Sequence, residues 1–175
     1  HEIIYAHRGF LRQCSGINYT TEKLLSIYAA DISRGTDGRL WVVNDRAEAP
    51  SGMGYALENR STTSRILPEM FSKMNVKRLS GFFHEFNQML IDASPENKEN
   101  PNIVVLTPGS HNETYFEHAY LASFLGYPLV QGNDLVVRDG FLWMKSLKGL
   151  KQIDVVLRRV DDVYIDPLEL REDSH

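Results

Sequence analysis

Four charged residues stand directly after an apolar run near the carboxyl-terminal end of the sequence. Residues 153–157 are typical of a buried strand, and they are followed by Arg158, Arg159, Asp161 and Asp162. Ligands of open α/β sheets gather at the carboxyl ends of the strands. There, guanidinium groups can bind a carboxylate or a phosphate, and aspartates can orient an amine or a metal. The alternative interpretation is a surface cluster of salt bridges, which contributes little to stability.

A second candidate lies between the apolar run 103–106 and the helical pattern that begins near Tyr115. Residues 107–112 read TPGSHN, and Gly109 and Asn112 are the candidate ligand-binding residues. Backbone N–H groups at the start of a helix favour anions, so we expect this turn on the same sheet edge as the charged cluster. The alternative is an ordinary turn in which Ser110 or Asn112 caps the helix.

Small residues are concentrated in residues 49–55, where two glycines, a proline and a serine occupy four of seven positions. This density predicts a shaped loop rather than a strand or a helix. Small side chains let backbone amides approach a phosphate; the alternative is a long connection whose glycines only satisfy turns. The candidate residues of this loop and its charged neighbours are Asp45, Arg46, Ser51, Gly52, Gly54, Tyr55 and Arg60.

Other chemistry has little support in the sequence. His111 and His118 lie seven residues apart and can share a helix face, but they have no third ligand nearby, so we do not predict a zinc site. Cys14 is the only cysteine, which excludes an intramolecular disulfide. The motifs of P-loop, Rossmann dinucleotide, α/β-hydrolase and zincin sites are all missing.

Composition narrows the class of protein. A chain of 175 residues with 42% hydrophobic residues is long enough for one compact unit or two small lobes. The net charge of −4 argues against a nucleic-acid partner, and no run approaches the roughly 18 apolar residues of a membrane span. The single cysteine and the lack of a signal-peptide pattern favour the cytoplasm.

The elements that must position these residues follow an α/β pattern. Two apolar runs, residues 25–32 and 40–44, flank Asp37 and Gly38 and predict a hairpin. A stripe at helical spacing predicts a helix through residues 79–90, with a shorter helix near 68–74 before it. Residues 94–101 are polar and contain two prolines, which is typical of a linker. Strand, turn, helix and strand then follow from residue 102, with a hairpin across Asp139 and Gly140, and together they predict a small open α/β sheet.

Several short sequence segments, in the order in which they occur, resemble the circularly permuted ATP-grasp family, type 2. These segments are residues 31–43, 49–60, 106–109, 115–118 and 157–162. The resemblance implies an ATP-grasp-type hairpin segment and helices, followed by a small Rossmann-like (pre-ATP-grasp) open sheet. It divides the chain into part of the ATP-grasp lobe (1–60), a helical connection and linker (61–101) and the Rossmann-like lobe (102–175).

The resemblance also implies a function. The sequence is similar to glutathionylspermidine synthetases, which implies an ATP-dependent carboxylate–amine ligase that activates an acid as an acyl phosphate with Mg²⁺. The implied partners are a small acid, an amine or peptide substrate, and the remainder of the same polypeptide. Because such proteins are much longer, we expect this chain to be an internal fragment that does not turn over by itself.

The resemblance assigns roles to the candidate residues. Arg158 and Arg159 would grip the acid's carboxylate, Asp161 or Asp162 would position the amine, and Arg46 or Arg60 would offset phosphoryl charge. If Arg159 is a surface side chain, Arg159→Ala should abolish ligation and leave the fold intact.

The pattern departs from the family at the metal site. Many ATP-grasp enzymes hold Mg²⁺ with Glu-x-Asn at the end of the second hairpin strand, and the matching positions are Asn44 and Arg46. Asp31 and Asp45 remain as metal candidates. The competing hypotheses are a non-catalytic ligand-binding scaffold and a docking module for the rest of the polypeptide.

Overall fold

The computed structural model describes residues 2–7, 10, 12, 15–17, 25–95 and 98–165 of the chain. Cys14 and two residues of the predicted linker, 96 and 97, lie outside the described residues.

The described residues form helices and strands in mixed order. The helices are α1 (Glu2–Ala6), α2 (Met53–Ile66), α3 (Pro68–Lys73), α4 (Ser80–Asp92) and α5 (Tyr115–Leu125). The strands are β1 (Ala29–Arg34), β2 (Leu40–Arg46), β3 (Ile103–Leu106), β4 (Leu129–Val130), β5 (Leu135–Arg138), β6 (Phe141–Ser146), β7 (Gly149–Gln152) and β8 (Val155–Arg158). This mixture confirms the predicted α/β class.

The predicted hairpin is present as the antiparallel pair of β1 and β2. The Gly35 N–H donates to the carbonyl of Arg39 at 2.8 Å, and Asp37 accepts from the Arg39 N–H at 3.1 Å, so the turn lies where the sequence places it. The first strand begins at Ala29 rather than at residue 25. The side chains of β2 are exposed along its whole length.

Two of the connecting helices, α3 and α4, confirm their predictions. The predicted loop at residues 49–55 is wrong for its last part, because α2 begins at Met53. Only Gly54 of α2 is buried, so this helix carries no apolar stripe by which its sequence could reveal it.

A parallel sheet lies in the second half of the chain, with strand order β4-β3-β8. Its buried residues pack against α4 and α5 in one core, which contains Phe86, Leu90, Ile103, Val105, Ala122, Val155 and Leu157. The strand, helix and parallel strand of the predicted βαβ unit are confirmed.

An antiparallel sheet, β5-β6-β7, packs beside the parallel sheet. The hairpin across Asp139 and Gly140 is confirmed, and the third strand, β7, is one that the sequence reasoning missed. Leu135, Leu142 and Met144 pack on a core of Val104, Val130 and Ile153. Within the described residues, no helix is long and apolar enough to cross a bilayer.

Candidate functional site

The residue that joins the two halves of the chain is Glu117, on the first turn of α5. Its side chain is fully buried. One carboxylate oxygen, Oε1, accepts hydrogen bonds from the backbone N–H groups of Gly52 and Gly54, each at 2.8 Å, and Oε2 accepts from Gly52 at 2.9 Å. The carboxylate thus fixes the start of α2, whose free N–H groups and positive dipole end favour an anion.

Arg159 completes this buried cluster. Its Nη2 donates to the carbonyl of Pro50 at 2.9 Å and lies 3.9 Å from Oε2 of Glu117. Burial lowers the pKa of the guanidinium, and the Glu117 carboxylate acts in the opposite direction. Among the described residues, Nε and Nη1 have no acceptor.

The burial of Arg159 corrects the expectation that it is a surface side chain. Arg159 is 4% exposed. Arg159→Ala would therefore leave Glu117 as an uncompensated buried charge and would destabilise the fold. The hydrogen bond from Arg159 to Pro50 brings this arginine into contact with the glycine-containing loop.

Gly54 lies where α2 and α5 approach each other. A Cβ at this position would stand 2.8 Å from Cγ of Glu117, a side chain whose carboxylate is already held at both oxygens. We therefore expect Gly54→Ala to destabilise the protein by about 1–3 kcal/mol, the usual cost of overpacking.

Urea denaturation can measure this effect against Gly81→Ala. Gly81 lies in the first turn of α4, and nothing stands within 4 Å of its added Cβ. This control should be neutral or slightly stabilising. Equal effects of the two substitutions would contradict the close packing at Gly54.

His118 is buried beside this cluster and is fixed at both ring nitrogens. Thr107 Oγ1 lies 2.9 Å from Nδ1, and Thr114 Oγ1 lies 3.0 Å from Nε2. Burial, with Arg159 nearby, lowers the pKa of His118 to about 4. The imidazole is therefore neutral at physiological pH and joins α5 to the end of β3.

This pKa predicts how stability depends on pH. Above about 6.5, the ordinary histidine pKa, both states are neutral and the stability is complete. Between pH 6.5 and about 4 the unfolded chain binds a proton that the folded His118 does not, so stability falls as the pH falls.

We expect a loss of up to about 2 kcal/mol between pH 7.5 and pH 5, measured by urea denaturation. His118→Gln keeps a donor and an acceptor but does not titrate, so its loss should be smaller by that amount. The same pH dependence in both proteins would exclude a neutral buried His118.

The second sequence candidate, residues 107–112, lies at the carboxyl edge of the parallel sheet, as expected. The Arg159 N–H donates to the carbonyl of Leu106 at 2.9 Å, which places the two segments side by side. Asn112 accepts from the backbone N–H of Thr114 at 2.9 Å and from its hydroxyl at 2.7 Å. Gly109 donates its N–H to Thr107 Oγ1 at 3.2 Å. Local hydrogen bonds therefore occupy both Asn112 and Gly109.

Asp31 and Arg46 form the charged centre of the hairpin. Arg46 Nη2 lies 2.8 Å from Oδ2 of Asp31, Nε lies 3.2 Å from both carboxylate oxygens, and Asn44 Nδ2 donates to Oδ2 at 3.2 Å. These hydrogen bonds, first from Arg46 and then from Asn44, hold the pKa of Asp31 below its usual value.

The two metal candidates, Asp31 and Asp45, are not brought together. Asp31 pairs across the hairpin with Asn44, and neighbouring residues of a strand point to opposite faces, so Asp45 lies on the other face. There Asp45 accepts a hydrogen bond from the Tyr28 hydroxyl at 2.5 Å.

The described residues do not fit a magnesium ion. They contain no group of three or more His, Cys, Asp or Glu side chains that could hold a metal. The carboxylate of Asp31 already has a guanidinium as its counter-ion.

Glu48 connects the loop to the end of β8. Its Oε1 lies 3.6 Å from Nη2 of Arg158 and accepts from the backbone N–H of Asp162 at 2.6 Å. Burial, aided by Asp162, raises the pKa of Glu48, although that backbone hydrogen bond and Arg158 act against the rise. Arg158 and Asp162 thus contact the loop through Glu48, whereas Asp161 is exposed.

A polar cleft of about 590 Å³ opens between the hairpin and the loop. Residues 29–31 and 44–51 line it, including Asp31, Asp45, Arg46, Glu48 and Ser51. Its size is that of a site for a small molecule.

Of the predicted site residues, Asp31, Asp45, Arg46 and Ser51 line the cleft and the others do not. Two of these others, Arg60 and Tyr55, lie on α2. Arg60 donates to the carbonyl of Lys77, and its guanidinium carbon lies 5.7 Å from the centre of the Phe71 ring, so it faces α3. Tyr55 stacks on Phe116 of α5, with ring centres 5.8 Å apart. Neither lines the cleft.

Glu117 is the functional candidate that sequence reasoning missed. The signal was a charged residue within an otherwise apolar helical stretch, since α5 reads YFEHAYLASFL. A carboxylate in such a place needs a partner, but the sequence does not say that the partner is the backbone of residues 52 and 54.

Sequence comparison assigns the chain to a family. A family described as circularly permuted ATP-grasp type 2 matches residues 1–175, the whole chain. The chain is 46% identical over 173 residues to the uncharacterized protein Rv2567 of Mycobacterium tuberculosis. The matched region covers 99% of this chain and 20% of that protein. It is 39% identical over 173 residues to the uncharacterized protein sll0335 of Synechocystis. That match covers 99% of this chain and 36% of the Synechocystis protein. The chain thus spans between about a fifth and just over a third of the length of these relatives.

Proposed function

Because the chain belongs to the circularly permuted ATP-grasp type 2 family, we propose that the whole protein is an ATP-dependent carboxylate–amine ligase. This chain contributes one wall of the active site. The observation that carries the proposal is the cleft between the hairpin and residues 47–51, which places Arg46 beside a loop that Glu117 and Arg159 fasten to the second lobe.

The proposed reaction has two steps. A carboxylate oxygen of the acid attacks the γ-phosphorus of ATP, which forms an acyl phosphate and releases ADP. The amine then attacks the acyl carbon, and inorganic phosphate leaves with one of the original carboxylate oxygens. The amine's proton passes to solvent.

Arg46 is the residue of this chain that we assign to the transferring phosphoryl group. A fixed guanidinium stabilises the charge that develops there, and electrostatics supply most of the catalysis in such transfers. The family implies Mg²⁺ as a cofactor, but the described residues do not fit it, so no step is assigned to the metal.

The proposal assigns different roles to the two neighbouring arginines. Arg158 is partly exposed beside Glu48, and we assign it to the carboxylate of the acid, while Asp161 or Asp162 positions the amine. Arg159 is buried and is a positioning residue that holds the loop. An ATP-dependent reaction is compatible with the cytoplasm, which is the compartment that we propose.

One observation favours a second candidate function, a ligand-binding scaffold without catalysis. Arg46 occupies the Asp31 carboxylate, where a metal-dependent enzyme needs free oxygen ligands. A protein that kept the fold but lost its metal site would have this arrangement.

The remainder of the polypeptide is the partner that we propose for the hairpin. Trp41, Val42 and Val43 are all more than half exposed, and an isolated two-stranded hairpin is marginally stable in water.

The experiment uses the full-length protein with ATP and Mg²⁺ over a panel of acids and amines. A ligase releases phosphate only when both substrates are present. Binding of ATP without phosphate release by any pair would support the scaffold instead.

A further inference from the structure

The polar cleft continues into an apolar groove of about 540 Å³. The two share Ala29, Pro50 and Ser51 as walls. The groove's other walls are residues 25–28, Met53 and one face of α4. A ligand that enters one of the two spaces therefore lies against the other.

Half-exposed apolar side chains line this groove on both sides. Phe82 of α4 is 51% exposed and stacks on Phe86, with ring centres 6.1 Å apart. Leu25 and Tyr28 on the opposite wall are each 53% exposed. Apolar surface of this kind favours a ligand that removes it from water.

The combined walls carry negative charge. The cleft contains Asp31, Asp45 and Glu48 with one guanidinium, Arg46, and the groove adds Glu85. Arg46 pairs with Asp31 and Arg158 pairs with Glu48, so Asp45 and Glu85 are the lining carboxylates that have no guanidinium partner among the described residues. Carboxylates without a guanidinium partner attract a cation.

We infer that the cleft and groove together bind a primary amine that carries an apolar body, such as an aryl or branched alkyl group. The inference rests on the proposed function, since it names the class of the amine substrate of the same site. The ammonium group lies beside Asp45, whose carboxylate accepts a hydrogen bond from Tyr28 of the groove wall, and the apolar body lies on Phe82. The shared wall at Ala29 and Ser51 connects the two.

Three probes separate charge from apolar contact. In calorimetric titrations of the full-length protein at pH 7, we expect 2-phenylethylamine to bind saturably. Ethylamine lacks the ring and 3-phenylpropionate reverses the charge, so each should bind at least tenfold more weakly.

Two variants locate the binding. Phe82→Ala should weaken 2-phenylethylamine about tenfold. The matched control is Phe141→Ala on β6, which is 55% exposed and lines neither space, and it should change nothing. Glu85→Lys, at an exposed position, should weaken the amine and strengthen 3-phenylpropionate even if Phe82→Ala folds poorly.

The outcomes separate this inference from the proposed function. The inference is overturned if the three probes bind with equal affinity or if 2-phenylethylamine does not bind saturably. It is also overturned if neither Phe82→Ala nor Glu85→Lys changes the affinity. If 2-phenylethylamine binds as expected but no acid and amine pair releases phosphate, the proposed function fails and the inference stands. Phosphate release with no preference for apolar amines overturns the inference alone.

Discussion

Glu117→Ala is expected to destabilise the protein by about 3–5 kcal/mol, the usual cost of removing one partner of a buried ion pair. The substitution removes the acceptor of the Gly52 and Gly54 N–H groups and leaves the buried Arg159 without its carboxylate. Urea denaturation measures the change.

Glu113→Ala is the matched control for this prediction. Glu113 is exposed just before α5, and surface substitutions usually change stability by less than about 0.5 kcal/mol. Glu117→Gln keeps one oxygen acceptor and should fall between the two. A cost of less than about 1 kcal/mol for Glu117→Ala would show that the carboxylate does not hold the loop.

Arg46→Ala in the full-length protein is expected to slow ATP-dependent phosphate release by about 10²–10³-fold, the usual effect of losing one preorganised charge-stabilising group. The fold should remain intact because the Arg46 side chain is 58% exposed and its ion pair with Asp31 is a surface one. Steady-state rates and a thermal melt separate the two effects.

Arg39→Ala provides the control on the same hairpin. Its side chain is 77% exposed and pairs with Asp37 at 3.5 Å, away from the cleft. Its rate should match that of the unmodified protein. If Arg46→Ala has the rate of Arg39→Ala, the guanidinium that neutralises Asp31 serves the hairpin and not the reaction.

Elements with a regular apolar pattern could be predicted from the sequence. The stripe of α4 contains Phe83, Phe86 and Leu90, which are its buried residues, and the apolar run of β3 is buried in the sheet. The turn of the hairpin could also be predicted, because Asp37 and Gly38 supply the chemistry that a tight turn needs.

Elements whose burial depends on partners distant in the sequence could not be predicted. The side of α2 that packs against α5 presents a glycine to a carboxylate, so no apolar period marks it. Arg159 reads as a surface residue because arginine is seldom buried unless it is paired, and its partners, Glu117 and Pro50, lie 42 and 109 residues away along the chain. The separation of Asp31 from Asp45 depends on the strand register, which places the neighbours Asn44 and Asp45 on opposite faces.

Transfer of labelled oxygen in the full-length protein tests the proposed reaction most directly. An acid from the panel that supports phosphate release is labelled with ¹⁸O in its carboxylate and incubated with ATP and the amine. Ligation through an acyl phosphate predicts one ¹⁸O atom in each molecule of inorganic phosphate that is released. Phosphate that carries no label, or a protein that binds ATP and releases no phosphate with any acid, would contradict the proposed reaction.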